Sequence, residues 1–264
     1  LVISPLIALM KDQVDSLKRR GVSATFINSA LDPDERTGRM AAMQRGEYQL
    51  VYVAPERLQN SAFLSAVRNT AVGLLAVDEA HCVSQWGYDF RPDYLKIAEF
   101  RDAAGIRRTA ALTATATPQV QDDIASKLQL KDLARVITGF NRPGLFFSVR
   151  YAASERARLE AVRQELANAR GAAIIYTATR ANAELVDRFL NGEARIRSRH
   201  YHAGLPADKR SQIQEEFISG RLDTVVATNA FGMGIDRADV RRVIHFNLPS
   251  TLEAYYQEAG RAGR

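Results

Sequence analysis

The sequence predicts an α/β fold with mainly parallel sheets, arranged in two lobes. Short apolar, β-branched runs alternate with longer amphipathic stretches, which is typical of parallel sheets covered by helices on both faces. The chain has 264 residues, of which 46% are hydrophobic, and this suits one large domain or two of roughly 130 residues. The alternation is interrupted near the middle of the chain, which favours two lobes.

The elements of both lobes can be placed from the same pattern. The predicted strands are residues 50–53, 74–77, 108–112, 172–176, 224–227 and 243–246. The predicted helices are residues 6–20, 119–128, 157–169, 181–190 and 207–219. Glycine and proline break the pattern over residues 138–144. We therefore predict a first lobe over residues 1–140 and a second over residues 141–264.

The formal net charge of +6 lies mainly in the second lobe. Residues 1–140 hold 17 Lys and Arg against 16 Asp and Glu, whereas residues 141–264 hold 19 against 14. This excess favours a polyanionic partner, and a solvated arginine-rich surface is the alternative that charge alone leaves open. No run approaches the ~20 apolar residues of a membrane span, so we expect a cytoplasmic protein without membrane contact.

Two adjacent carboxylates follow a predicted strand of the first lobe. Asp78 and Glu79 come directly after residues 74–77, and ligand chemistry in open α/β sheets collects at the carboxyl ends of strands. One carboxylate of such a pair can hold Mg²⁺ while the other takes a proton from an attacking water. A salt-bridged turn is the alternative, but the preceding strand favours a hydrolytic site.

His81 and Cys82 follow these carboxylates and raise the question of zinc. Cys82 is the only cysteine, so the chain forms no internal disulfide. His200 and His202 could supply further ligands, but a structural zinc site needs four of suitable geometry, and the sequence shows no second cluster. A zinc site is therefore the weaker interpretation, and a coupling role of His81 next to the hydrolytic carboxylates is favoured.

A loop over residues 84–94 gathers the only tryptophan, Trp86, with further aromatic residues and Arg91. Aromatic faces and a guanidinium suit base stacking and phosphate contact, and each stacked base contributes ~1–3 kcal/mol. The alternative is an aromatic cluster that anchors the loop to the core. Composition leaves both open.

Residues 112–118 alternate small hydroxyls after a strand. Thr113 and Thr115 can bond to each other, to water or to a carboxylate. Thr117 precedes Pro118 and is predicted to cap the helix that follows.

Two segments of the second lobe suit a phosphate ligand. Residues 228–236 follow a strand and contain two glycines, which permit close backbone approach to a ligand, although a plain tight turn is the alternative. Arg261 and Arg264 are three residues apart and share one face if helical. Such arginines can reach a γ-phosphate across a cleft, where an arginine finger supplies ~10³–10⁵ in rate. Solvated arginines are the alternative.

Taken in order, these segments resemble the RecQ family of superfamily 2 DNA helicases over the whole chain. The segments similar to motifs Ia, Ib, the DEAH box, the family's aromatic-rich loop, motif III and motif IV are residues 1–13, 53–57, 78–81, 84–94, 113–118 and 174–177. The later motifs resemble residues 201–205, 226–236 and 257–264. The resemblance implies two RecA-like lobes of an ATP-dependent, 3′–5′ DNA helicase that acts in repair and recombination.

The resemblance also implies cofactors, partners and residue roles. The cofactors would be ATP and Mg²⁺, and the partners single-stranded and duplex DNA. Asp78 would bind Mg²⁺, Glu79 would be the catalytic base, and Arg264 would be the arginine finger. The other catalytic residues would be His81, Gln257 and Arg261. The nucleotide would be held by Asp78, Gly234, Asp236, Arg261 and Arg264. The DNA-binding or coupling residues would be Ser4, Pro5, Arg57, Gln85, Trp86, Phe90, Arg91, Thr113, Thr115, Thr177, His202 and Thr228.

The chain departs from the family pattern at a few places. Tyr88 stands where the family usually has His, and Gly144 replaces a common Asn. None of the six lysines follows a glycine, so the chain contains no G-x-x-x-x-G-K-[ST] phosphate loop. We expect that loop before Leu1, and zinc-binding and winged-helix regions after Arg264. The first lobe would thus lack its phosphate-loop portion, and this chain alone would hydrolyse ATP negligibly.

Two other functions remain open at this point. An RNA helicase of the DEAD/DEAH group keeps a similar box, but the aromatic loop and residues 257–264 favour DNA. A non-catalytic DNA-binding remnant would keep DNA affinity without ATP turnover.

Overall fold

The computed structural model describes residues 1–87, 89–139, 142–167, 170–232 and 237–263, apart from the side chains of Ala8 and Leu9. It divides into two compact units, Leu1–Val136 and Ile137–Arg264. The predicted junction at residues 140 and 141 lies outside the described residues. None of the helices in these ranges has the length and apolar character needed to cross a membrane.

The first unit is built on a parallel sheet that, in the described ranges, has five strands in the order β2-β3-β1-β4-β5. The strands are β1 (Val2–Ile3), β2 (Ala24–Ile27), β3 (Leu50–Val53), β4 (Leu75–Val77) and β5 (Thr109–Ala111). The helices are α1 (Ile7–Arg19), α2 (Pro33–Gln44), α3 (Ser61–Arg68), α4 (Ile97–Ala104) and α5 (Pro118–Lys127). Among the described residues, 3₁₀ turns lie at Pro55–Gln59, Ala80–Val83 and Pro92–Lys96.

Several helices of this unit begin where a side chain caps them. The Thr117 hydroxyl accepts from the backbone N–H of Val120 and precedes Pro118, so the predicted cap is confirmed. Asp32 caps α2 by accepting from the N–H of Asp34. This cap and the following proline explain why α2 forms although its sequence is mostly polar.

The second unit is built on a parallel sheet in which the described residues form four strands, ordered β7-β8-β6-β9. The strands are β6 (Ala172–Tyr176), β7 (Arg199–Tyr201), β8 (Thr224–Ala227) and β9 (Val240–His245). The helices are α6 (Glu155–Ala167), α7 (Arg180–Gly192), α8 (Ala207–Ile218) and α9 (Leu252–Ala259), followed by a 3₁₀ turn at Gly260–Gly263. All five residues of β6 are buried because helices cover both faces of this strand.

One buried arginine links the end of α8 to the segments before β8 and β9. Arg237, only 6% exposed, donates hydrogen bonds to the carbonyl oxygens of Phe217 and Leu222. It also pairs with Asp223 and Asp239, which compensates the charge.

The predicted fold class is confirmed, with parallel sheets and flanking helices in both units. The six predicted strands and five predicted helices occur, and where both ends are described they differ from the predicted ends by at most three residues. The prediction missed β1, β2 and β7 and the helices α2, α3, α4 and α9.

Candidate functional site

Asp78 lies at the carboxyl edge of the first sheet, directly after β4. Its Oδ2 accepts a hydrogen bond from the Ser4 hydroxyl at 3.1 Å, and its Oδ1 accepts one from the N–H of Glu79 at 3.0 Å. The hydroxyl of Tyr94, which is fully buried, donates to the Asp78 carbonyl oxygen at 2.9 Å. These contacts fix the carboxylate while leaving acceptor sites on both oxygens. Oxygen donors of this kind fit Mg²⁺.

Glu79 turns the chain sharply away from the strand. Its backbone is left-handed, with φ 47° and ψ 46°, which is uncommon outside glycine and costs of order 1 kcal/mol. The N–H of the next residue, Ala80, donates to the Leu112 carbonyl and so holds the turn. The turn brings Glu79 Oε2 to 3.3 Å from Nδ1 of His81. Such strain is typical of functional sites.

His81 connects the carboxylate pair to the threonine segment. Its ring is 2% exposed, and its Nδ1 lies 2.9 Å from Oγ1 of Thr113. The Thr113 hydroxyl donates its single proton to the carbonyl of Thr115, so His81 Nδ1 is the donor toward Thr113. Burial lowers the pKa of His81, which keeps the imidazole neutral near pH 7. The sequence predicted bonds of Thr113 to another threonine, to water or to a carboxylate, and this bond to an imidazole was not foreseen.

The aromatic loop is fastened at its base and exposed at its tip. Gly87 packs so closely that a Cβ there would lie 2.3 Å from the His81 carbonyl oxygen. Arg91 donates to the Pro5 carbonyl at 3.0 Å and to Asp89 at 2.9 Å. The Trp86 side chain is 70% exposed, so this indole does not anchor the loop to the core of its unit.

The other residues of this loop are placed as follows. Gln85 is exposed and Phe90 is half-buried. Tyr88 lies outside the described residues. Ser84, which is buried, donates to Asp123 at 2.7 Å and so ties the loop to α5.

Three predicted DNA-contact residues follow adjacent strands of the second sheet. Thr177, His202 and Thr228 come directly after β6, β7 and β8, whose order in the sheet is β7-β8-β6. Thr177 and His202 are 6% and 5% exposed. Thr228 is half-buried, and its N–H donates to the Tyr201 carbonyl.

The predicted nucleotide-contact residues of the second unit are only partly described. Arg261 lies against Gly232, where an added Cβ would be 2.8 Å from its Nη2. Its Nε has no hydrogen-bond partner among the described residues. Gln257 is half-buried on α9. Gly234, Asp236 and Arg264 lie outside the described residues.

The prediction that Arg261 and Arg264 share one face if helical stays a prediction, because Arg264 lies outside the described residues. Arg261 lies in the 3₁₀ turn Gly260–Gly263, beyond the end of α9. Arg142, to which the sequence assigned no role, holds this turn. It donates to the Tyr256 hydroxyl at 3.0 Å and to the Gly260 carbonyl at 3.2 Å, and it covers the Tyr256 ring. An exposed arginine and this anchoring arginine look the same in the sequence.

The remaining predicted DNA contacts lie at the edge of the first sheet. Arg57 follows β3 and is half-buried, and its Nε has no hydrogen-bond partner among the residues described. Burial lowers the pKa of Arg57, and the guanidinium stays charged. The Ser4 side chain is buried against Asp78, and Pro5 is buried with its carbonyl accepting from Arg91.

Two family models match the chain. A DEAD/DEAH box helicase model covers residues 1–124, and a helicase conserved C-terminal domain model covers residues 157–264. ATP-dependent DNA helicase RecQ of Bacillus subtilis is 44% identical over the whole chain, which covers 44% of that protein. Probable ATP-dependent DNA helicase RecS of the same organism is 41% identical, again over the whole chain, which covers 53% of it. The chain thus spans about half the length of these curated relatives.

Solved structures share the fold at low identity. Saccharomyces cerevisiae Dbp5 bound to RNA and ADP BeF3 gives a TM-score of 0.74 at 17% identity, over 100% of this chain and 67% of that one. Mycobacterium smegmatis helicase Lhr bound to single-stranded DNA and AMP-PNP gives 0.68 at 21% identity, over 99% of this chain and 38% of that one. At these identities the likeness concerns the fold alone.

Proposed function

We propose that this chain, which belongs to the RecQ family, forms the two-lobed motor core of an ATP-dependent DNA helicase. The array that carries the proposal joins Asp78, Glu79, His81 and Thr113 at the carboxyl edge of one parallel sheet. The relatives named as DNA helicases are 40–44% identical over the whole chain, which favours DNA over RNA as the partner.

ATP hydrolysis would use the fixed carboxylates. Asp78 would hold Mg²⁺ through the acceptor sites that Ser4 and Glu79 leave open, and the ion would neutralise phosphate charge. The Glu79 carboxylate would take the proton of the attacking water. Arg261 would contact a phosphate, because its Nε has no hydrogen-bond partner among the described residues. Gln257, Gly234, Asp236 and Arg264 keep the nucleotide roles that the family resemblance implies.

DNA would lie along the carboxyl edges of the sheets and on the aromatic loop. The exposed Trp86 offers a stacking face, and Arg91 holds the base of the loop to the segment at Pro5. His81 would couple the two activities, because its carbonyl packs on Gly87 while its ring contacts Thr113. Translocation in the 3′–5′ direction, a role in repair and recombination, and a cytoplasmic location are parts of the same proposal.

The decisive experiment measures ATPase and DNA binding in the full-length protein that carries this chain. We expect Glu79→Gln to lower DNA-stimulated ATPase by ~10²–10⁴-fold while single-stranded DNA binding persists. Glu99→Gln, at an exposed carboxylate of α4, is the matched control and should change neither. Stimulation by RNA rather than DNA, or DNA binding with no ATPase before substitution, would contradict the proposal.

A further inference from the structure

We propose that Glu184, His200 and His202 form a site for a divalent transition-metal ion, best suited to Zn²⁺. The site lies within the second unit and is separate from the Mg²⁺ role proposed for Asp78. It also goes beyond the proposed motor activity, because nothing in ATP hydrolysis requires a second kind of ion. Glu184 lies on α7, and the two histidines belong to β7 and the residue after it.

The distances within this cluster suit a small tetrahedral ion. One ligand atom from each residue lies within 4.8 Å of the other two. His202 Nε2 and Glu184 Oε1 are 3.3 Å apart. Bonds of ~2.0–2.2 Å to tetrahedral zinc place neighbouring ligand atoms about 3.4 Å apart. One pair therefore already has the required separation, and closing the set needs a movement of roughly 1.4 Å at most.

The state of His202 is the observation that points to a ligand. The side chain is 6% exposed, yet neither ring nitrogen makes a hydrogen bond within the described part of the chain. Buried imidazole nitrogens normally form hydrogen bonds, and leaving both nitrogens without one costs free energy of folding. Nδ1 faces Gly204, where an added Cβ would lie 3.2 Å away, while Nε2 points toward Glu184. A metal bound at Nε2 would satisfy the nitrogen that faces the cluster.

His200 is oriented by a buried carboxylate behind it. Its Nδ1 lies 2.8 Å from Oδ2 of Asp187, which leaves Nε2 as the nitrogen available to an ion. Asp187 is held in turn by Ser198 and Asn191. A histidine that donates one ring N–H to a carboxylate and binds metal with the other nitrogen is the usual supporting arrangement around zinc. The two rings stack 5.5 Å apart at 19°, which holds their planes nearly parallel.

The composition of the cluster decides which ions it would take. Two imidazoles and one carboxylate suit Zn²⁺ and similar transition metals, whereas Mg²⁺ prefers an oxygen shell. Glu184 and His200 have side chains that are 43% and 34% exposed, so water can complete the coordination. The sequence offers no sign that Glu184 belongs with the two histidines, because Glu184 is 16 residues before His200 and lies on a different element.

The test is metal binding by the 264-residue chain after treatment with a chelator. We expect one Zn²⁺ per chain by calorimetry, and a visible absorption band of four-coordinate Co²⁺. Glu184→Gln, His200→Asn and His202→Asn should each weaken binding at least tenfold, and Asp187→Asn ~10–100-fold. Zn²⁺ at a hundredfold excess over its Kd should raise the midpoint of thermal unfolding by roughly 5–10 °C.

Two controls separate this site from other carboxylates and imidazoles. Glu193→Gln changes an exposed carboxylate just beyond α7, and His245→Gln changes an imidazole that is paired with Glu258. Both variants should keep wild-type affinity. If His202→Asn does not fold, Glu184→Gln decides, because its side chain is partly exposed. No binding, or binding that survives Glu184→Gln and His200→Asn, would show that Glu184, His200 and His202 lie close together without holding a metal ion.

Discussion

Replacing Gly87 with alanine should break the contact between the aromatic loop and the hydrolytic segment. The added Cβ would lie 2.3 Å from the carbonyl oxygen of His81 and 3.1 Å from that of Ser84. Non-bonded heavy atoms prefer ~3.5–4.0 Å, so the loop must move by about 1 Å or more. Both oxygens belong to the backbone, so no side-chain rotation can relieve the overlap.

The expected cost follows from the size of this overlap. Overpacking a well-packed site costs ~1–3 kcal/mol of unfolding free energy, and denaturant unfolding would measure it. We also expect the displaced loop to lower DNA-stimulated ATPase at least tenfold in the full-length protein. ATPase without DNA should stay within about threefold, because Asp78 and Glu79 keep their own contacts.

Gly73→Ala is the matched control, because a Cβ at Gly73 would meet no described atom within 4 Å. It should leave stability and both ATPase rates unchanged. Wild-type stability of Gly87→Ala would refute the packing argument. An equal loss of ATPase with and without DNA would refute the coupling role of the loop.

Three further predictions concern stability and reactivity. Arg237→Ala should cost about 2–5 kcal/mol of unfolding free energy, measured by denaturant unfolding, because it leaves two buried carbonyls and two carboxylates without their partner. The control Arg197→Ala removes an exposed arginine and should cost under ~0.5 kcal/mol in the same experiment. Burial raises the pKa of Cys82 to about 12, so a thiol reagent at pH 8 should leave the folded chain unmodified and react only after unfolding; fast labelling of folded chain would contradict this. Burial lowers the pKa of His81, so the unfolded chain binds its proton at higher pH than the folded chain does. The unfolding free energy should therefore decrease as the pH falls below about 6.5, and His81→Gln should reduce that slope; an unchanged slope would contradict the assignment.

The sequence was informative wherever a pattern was local. The alternation of β-branched runs with amphipathic stretches predicted the parallel sheets, and Thr117 before Pro118 predicted a cap that the structure confirms. The strand Arg199–Tyr201 was missed because it lies at the sheet edge, where Arg199 is exposed and no apolar run is needed. The strand Val2–Ile3 was missed because two residues are too few to show a period.

Only part of the candidate site could be predicted from the sequence, because contacts between distant residues leave no local pattern. Asp78 and Glu79 stand out because they are adjacent and follow a strand. The hydroxyl of Tyr94 on the Asp78 carbonyl joins residues 16 apart, and no sequence spacing announces such a contact. The cluster of Glu184 with two histidines likewise depends on packing between a helix and a strand. The catalytic and DNA-contact roles of the individual residues stay predictions.

The exposed Trp86 provides an intrinsic fluorescence signal for the aromatic loop. It is the only tryptophan among 264 residues, and it stands on a loop whose base is fastened by Arg91 and Gly87. Fluorescence excited through the indole therefore comes from one known place. A base that stacks on that ring must quench or shift the emission, whether or not ATP turns over. Occupancy of the loop can thus be followed at equilibrium in the unlabelled protein, separately from any catalytic rate.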